Sequence, residues 1–300
     1  MRSARVQSFA DCFRNAVVAA VGLALFAASP ACTKKAEEVR GAIRIGIQPN
    51  EKDADLGAFK ADLGKRIGMP VELVVSPDYA ELVKRFKNAE LDFAFFSPLN
   101  FVEAERTAGA KVLLKKVYDT SEFYWSAIIV RNDSSVKKVS DLKGKKFGYV
   151  DPKSASGYLY ALHLLQAGGV TKDEVQGEFL GTHDGALAAL IDKKVDAAAV
   201  WGDGPDAGTG AWNLLAKTRP EAADVRVLVW SDPIPNDAFA VRAAFYEQQP
   251  MVSFKVMEAL IGMSDDGDKV LKKVFNTERM ATATSRHYDT VRALEKVLAQ

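Results

Sequence analysis

The chain has 300 residues, 48 % of them hydrophobic and 26 % charged, with two cysteines. Those are the proportions of a globular protein with room for about two domains, and they exclude a disordered chain, a collagen and a disulfide-stapled mini-protein. Forty basic residues face thirty-nine acidic ones, a net +1, so no whole-chain field recruits nucleic acid and a charged ligand has to be held by a local site.

In chain order, Arg2, Arg5 and Arg14 precede a run from Ala16 to Ala31 that is apolar except for Ser29. A basic stretch, a short apolar core and small residues before a cut describe an export signal over 1–31. The run falls short of the roughly 20 residues that span a bilayer. Ser29-Pro30-Ala31-Cys32 resembles a lipobox with serine where leucine is usual, so Cys32 is the expected acylation site; ordinary cleavage after Ala31 is the alternative. Cys12 leaves with the leader, which makes Cys32 the one remaining thiol and rules out an intramolecular disulfide. Residues 32–41 then form a lipidated tether.

Beyond the tether, Ala42 to Ile47 alternates with the period of a strand, and Leu56, Phe59, Leu63 and Ile67 mark one helix face. Val71 to Val75 reads as a strand, Tyr79 to Asn88 as a helix, Leu91 to Phe96 as a strand, and a helix follows Pro98. Phe123 to Val130 is strand-like. Phe147 to Val150 is a strand and Gly157 to Ala167 a helix closed by Gly168-Gly169. A strand is expected to begin at Phe179-Leu180, a helix to run from Gly185 to Ile191, and strands to cover Ala197 to Trp201 and Val225 to Trp230. Helices are expected from Pro250 and over Arg286 to Ala299. Strands alternating with helices predict an α/β fold with largely parallel sheets.

The segment ending Leu91-Asp92-Phe-Ala-Phe-Phe-Ser97 is echoed by Val195-Asp196-Ala-Ala-Ala-Val-Trp201: helix, basic turn, apolar-Asp pair, buried strand, polar loop. The echo predicts two similarly built lobes. If the chain crosses between them at the two middle strands, lobe 1 combines 42–129 with 231–300, and lobe 2 is an insertion at 130–230.

Ligands of open α/β sheets bind at the carboxyl ends of strands, which singles out Asp151-Pro-Lys-Ser154-Ala155-Ser156-Gly157 between a strand and a helix. A helix start offers N–H groups without acceptors and a partial positive charge; two serines add hydroxyls, and Gly157 permits close approach. The alternative is that Ser154 or Ser156 only caps the helix. His183 opens another helix and is either an anion donor or a cap. Tyr79 and Tyr124 follow or lie in strand-like segments and are either hydroxyl donors or packing residues. Asp203 and Asp237 lie in polar loops, where turn chemistry is the plainer reading. The loop from Asp203 to Gly210 lacks the ligand order of a calcium loop, and His163, His183 and His287 lack zinc-type spacing. No metal or other cofactor is expected. There is no HExxH, nucleophile elbow or Walker loop, so no catalytic residue is assigned.

Ser76-Pro-Asp-Tyr79, Leu91 to Pro98, Phe123-Tyr-Trp-Ser126, Asp151 to Gly157 and Ile234-Pro-Asn-Asp237, in that order, resemble the phosphonate/phosphite-binding proteins of bacterial ABC importers. The resemblance implies the type II two-lobed periplasmic-binding-protein fold, each lobe a mostly parallel sheet flanked by helices, closing on its ligand at a hinge. It implies that Tyr79, Tyr124, Ser154, Ser156 and His183 hold the phosphono oxygens, with the backbone of Ala155, where the family commonly has threonine. It implies that Asp237 faces the ligand and that Asp203 stands at the position of an acidic residue in aminoalkylphosphonate binders. The expected protein is thus a periplasmic, membrane-tethered, monomeric receptor that delivers a phosphonate or phosphite to an ABC permease and is not an enzyme. The alternatives are a receptor or sensor for another small anion such as a sulfonate, or a small exported enzyme using the same cleft. An aminoalkylphosphonate would bring an ammonium to the two acids; a phosphite or monoanionic phosphonate would bring a P–OH to Asp237.

Overall fold

A computed structural model describes residues 41–51, 56–118, 121–265 and 270–298. The expected leader at 1–31, Cys32 and nearly all of the 32–41 tether lie outside them.

The first sheet takes its core from β1 (Ile43–Ile47), β2 (Val71–Val75) and β3 (Phe93–Phe96), connected by α1 (Leu56–Ile67) and α2 (Tyr79–Lys87). β1 lies between the other two, and both pairings are parallel. α3 (Pro98–Ala108) then leads to β4 (Ala110–Val117). The next strand, β5 (Phe123–Arg131), belongs to a second sheet with β6 (Lys146–Tyr149), β7 (Gln176–Phe179), β8 (Ala197–Gly202), β9 (Val225–Trp230) and β10 (Ile234–Pro235). Its helices are α4 (Tyr160–Ala167), α5 (His183–Ile191) and α6 (Ala211–Leu215). The chain returns to the first sheet with β11 (Ala238–Arg242), runs through α7 (Ala243–Gln248), α8 (Pro250–Asp265) and α9 (Val270–Phe275), adds β12 (Arg279–Thr282) and ends in α10 (Asp289–Leu298). Strand order is β12-β4-β11-β3-β1-β2 in one sheet and β10-β5-β8-β6-β7 in the other, with β9 on β5. The chain therefore changes sheet between Val117 and Phe123, and back between Pro235 and Ala238. Both points fall inside what the strand pattern assigned to lobe 1, because β5 is hydrogen-bonded to β8 and β9 along its length.

The internal echo has a physical basis. Asp92 accepts the Arg44 N–H on its carboxylate at 3.0 Å and donates its own N–H to the Arg44 carbonyl at 2.9 Å. Asp196 makes the same two bonds to Lys146, at 3.0 and 2.9 Å. The residues three before them, Ala89 and Lys193, both take left-handed backbone, φ 59° and 61°. In each lobe the aspartate fixes the register of the strand that lies centrally in the β-α-β-α-β unit.

Two expectations shift. β7 ends at Phe179 rather than beginning there, since Gln176-Gly-Glu-Phe is an exposed edge strand whose polar residues carry no hydropathy signal. The helix expected from Gly157 starts at Ala155 with a wide π-type turn over Ala155–Leu159, a feature frequent at functional sites.

The lobes touch. Leu99 and Phe101 of α3, Ala155, Leu159 and Tyr160 of the second lobe, and Tyr288 and Val291 beside and in α10 share one buried apolar cluster. The Ser97 hydroxyl donates to the Lys153 carbonyl at 3.3 Å, and the Lys153 ammonium lies 2.9 Å from the Glu103 carboxylate.

Candidate binding site between the lobes

Residues at the carboxyl ends of strands from both sheets meet at this junction. On the second lobe, Ser154 caps the long helix: its hydroxyl oxygen accepts the Gly157 N–H at 3.0 Å. A serine hydroxyl that accepts still has its proton to donate, so capping and ligand binding are compatible here. Ala155 and Ser156, in the first turn, present N–H groups with no acceptor a turn earlier. The Ala155 methyl is buried in the apolar cluster between the lobes. Ser156 is 1 % exposed; its carbonyl accepts the Ser126 hydroxyl at 2.6 Å, which ties the turn to β5. Gly157 is required: a Cβ there would stand 2.3 Å from Val150 Cγ2.

The tyrosines are buried donors. Tyr124 reaches Ser156 by a side-chain hydrogen bond, and burial, reinforced by the charge of Asp237, holds its hydroxyl well above the usual range. Burial does the same for Tyr79, with Asp237, Asp151 and Glu51 adding to it. Both therefore stay protonated. Asn100 Nδ2 donates to the Tyr79 carbonyl at 2.9 Å, fixing the start of α2.

His183 has a defined tautomer. Its Nδ1 accepts the Trp201 N–H at 3.3 Å, which leaves the proton on Nε2 as a donor. Burial pushes its pKa down to about 3. The unfolded chain takes up this proton below about pH 6.5, whereas the folded one does so only near pH 3. The contribution is therefore complete above about 6.5 and is lost progressively as pH falls through that window. His183→Gln should remove up to about 1.4 kcal/mol per pH unit of the acid slope of stability. Denaturant unfolding at pH 7, 6 and 5 measures it, and an unchanged slope would contradict the buried neutral imidazole.

Asp237, at the return to the first lobe, is surrounded by residues the sequence reading did not single out. Its Oδ2 accepts from Gln48 Nε2 at 3.0 Å and from Lys116 Nζ at 3.3 Å. Lys116, 1 % exposed, also pairs with Glu51, and burial raises the Glu51 carboxyl. Asp203 is placed differently. It is exposed, its carboxylate accepts the Thr209 hydroxyl at 2.6 Å and its N–H donates to the Thr209 carbonyl at 2.8 Å. These bonds close the glycine-rich loop 203–210, so the Asp203 carboxylate is engaged within its own loop. Among the described residues no cluster of histidine, cysteine, aspartate or glutamate is arranged to hold a metal.

Two α/β lobes, each a sheet flanked by helices, joined by two crossings, make a type II periplasmic binding fold. Residues 45–288 match the family described as ABC transporter, phosphonate, periplasmic substrate-binding protein, and the chain belongs to it. It is 28 % identical over 218 residues to the phosphonates-binding periplasmic protein of Escherichia coli (strain K12), covering 69 % of this chain and 62 % of that protein. It is 23 % identical over 274 residues to the probable ABC transporter phosphite binding protein PhnD1 of Prochlorococcus marinus (strain MIT 9301), covering 85 % and 89 %. The structure of that protein in complex with methylphosphonate shares the fold with a TM-score of 0.75 at 18 % identity, over 86 % of this chain and 98 % of that one. The aliphatic sulphonate binding protein SsuA of Escherichia coli shares it at 0.60 and 18 % identity, over 87 % of each chain.

Proposed function

We propose that the chain is an exported receptor that captures a small phosphorus oxyanion between its lobes and delivers it to an ABC permease. One observation carries the reading: the start of a helix bearing Ser154, Ser156 and the free N–H groups of Ala155 and Ser156 lies against buried, protonated donors. Tyr124 touches Ser156 directly, and His183 presents Nε2–H from the same lobe. Tyr79 joins them from the first lobe. Such donors suit a tetrahedral oxyanion, and a helix start adds a favourable partial charge. Asp237 decides between oxyanions. A phosphonate or phosphite monoanion carries a P–OH that donates to a carboxylate; a sulfonate at neutral pH has no proton to give and would be repelled.

Binding without turnover is the expected outcome. With Nδ1 occupied and a pKa near 3, His183 is a poor general base, since an effective one is matched to the working pH. No helix among the described residues is long and apolar enough to cross a membrane, so tethering in this reading depends on Cys32. Wild type is expected in the membrane fraction and Cys32→Ser in the soluble fraction.

A thermal-shift panel of methylphosphonate, phosphite, aminoethylphosphonate, phosphate and taurine tests the ligand class. A ligand at about 100 times its dissociation constant adds about 2.7 kcal/mol, a rise of about 5–10 °C at this size. A shift with a phosphonate or phosphite and none with taurine is expected; a shift with taurine alone would replace the phosphorus reading by the sulfonate one.

A further inference from the structure

Lys115 and Lys116 of β4 are both buried, and they point to opposite faces of the strand. Lys115 pairs with Glu122 in the first crossing between sheets. Lys116 points toward Glu51 and Asp237. Its ammonium lies over the rings of Phe95 and Phe275, 5.4 and 5.0 Å from their centroids. On its polar side it holds Glu51 and Asp237, and its backbone N–H donates to the Asp237 carbonyl at 3.0 Å. It is thus held from both sides, by aromatic faces and by carboxylates. One oxygen of Asp237, Oδ2, takes both Gln48 and Lys116, which leaves Oδ1 to accept from a ligand. Asp237 lies three residues after Ile234, which pairs with Tyr124 across β10 and β5, and burial together with its charge raises the Tyr79 and Tyr124 hydroxyls, which places this cluster beside the oxyanion donors. Glu51 Oε2 is buried with no hydrogen-bond partner among the described residues.

We propose that Lys116 sets the choice of ligand tail: its buried ammonium occupies the counter-ion position between Glu51 and Asp237, so the cleft takes phosphorus oxyanions with uncharged substituents and rejects aminoalkylphosphonates. The proposal rests on the phosphonate reading above. A ligand ammonium entering the site gains only what the two carboxylates have left after Lys116, and meets a like charge held in place. A P–OH needs a single acceptor, and Asp237 Oδ1 supplies it.

The test compares 2-aminoethylphosphonate with n-propylphosphonate, its uncharged isostere, by calorimetry on wild type and Lys116→Met. Wild type is expected to bind propylphosphonate at least about tenfold more tightly, and K116M to move that ratio at least about tenfold toward the amine, in line with the coupling measured for close charge pairs. K116M leaves two carboxylates uncompensated; if it does not fold, the double variant K116M/E51Q, with one carboxylate, carries the same expectation. Glu51→Gln alone leaves Lys116 and Asp237 matched and is expected to sharpen rejection of the amine. A wild type that binds the amine equally well, or a ratio unmoved in K116M, K116M/E51Q and E51Q, would overturn the role of Lys116 while leaving the phosphonate reading intact. Binding of methylphosphonate or phosphite but of neither tailed ligand would overturn the role of Lys116 alone, and binding of none of the four by wild type would overturn both.

Discussion

Gly157→Ala is expected to abolish phosphonate binding and to lower stability by about 1–3 kcal/mol, the usual cost of forcing extra volume into a packed site. The added Cβ would stand 2.3 and 2.5 Å from Val150 Cγ2 and Cβ. Val150 follows β6, is fully buried and donates its N–H to the Gly157 carbonyl at 3.2 Å, so it has nowhere to retreat. The turn has to lift, and Ser154, Ala155 and Ser156 lift with it. Ser154 loses its bond to the Gly157 N–H, and the wide turn that closes from Leu159 N–H to the Ser154 carbonyl at 3.1 Å is disturbed. Thermal unfolding reads the first effect and calorimetry with methylphosphonate the second. A variant with wild-type stability and affinity would show that the turn is not held against Val150.

Ser156→Ala and Ser154→Ala are each expected to weaken methylphosphonate binding by about 1.5–3 kcal/mol, the range for a hydrogen bond to a charged group. That is roughly 10- to 150-fold in dissociation constant. The two differ in what else they change. Ser156 keeps its backbone bond from Ser126 when the hydroxyl goes, but the buried Tyr124 hydroxyl loses its partner, which should cost about 1–3 kcal/mol of stability. Ser154 also caps the helix, and its loss should cost about 1 kcal/mol of stability in addition. Unchanged affinity in both variants would remove the serines from the site.

Most of the two parallel cores can be read from local pattern, because apolar strands alternate with helices in each β-α-β-α-β unit, the exposed edge strand β7 excepted. The Asp92 and Asp196 echo even exposes their kinship, since the aspartate does the same backbone work in each lobe. β4 escaped the reading for a physical reason. Ala-Lys-Val-Leu-Leu-Lys-Lys-Val ends in two adjacent lysines, a pattern of exposed surface, and both are buried by partners that local sequence does not name. Lys116 meets Glu51, 65 positions before it, and Asp237, 121 after it. The expectation that Asp237 faces a ligand comes only from the family resemblance, and its pairing with Lys116 has no signal in the local sequence. β11 and β12 are equally non-local. β11 inserts antiparallel between β3 and β4, a position set by the return crossing and not by its own composition.

The helix-start motif was the best local signal, because its chemistry lies within seven consecutive residues, Asp151 to Gly157. His183 and Tyr124 carry no such signal. Their roles as a neutral Nε2–H donor and a protonated hydroxyl depend on Trp201 and on burial, which only the folded chain supplies. Asp203 shows the reverse. An acid in a Gly-Asp-Gly-Pro loop reads more plainly as a turn residue than as a ligand, and the folded loop engages its carboxylate with Thr209.

The most direct test is a crystal structure of the ligand-stripped protein soaked or grown with methylphosphonate. The phosphono group is expected between the lobes, with its oxygens within hydrogen-bond distance of Ser154 and Ser156 Oγ, the Tyr124 hydroxyl and His183 Nε2, and one of them against Asp237 Oδ1. Clear density for the ligand away from Ser154 and Ser156, or an empty cleft at a concentration that saturates binding in solution, would contradict the site described here.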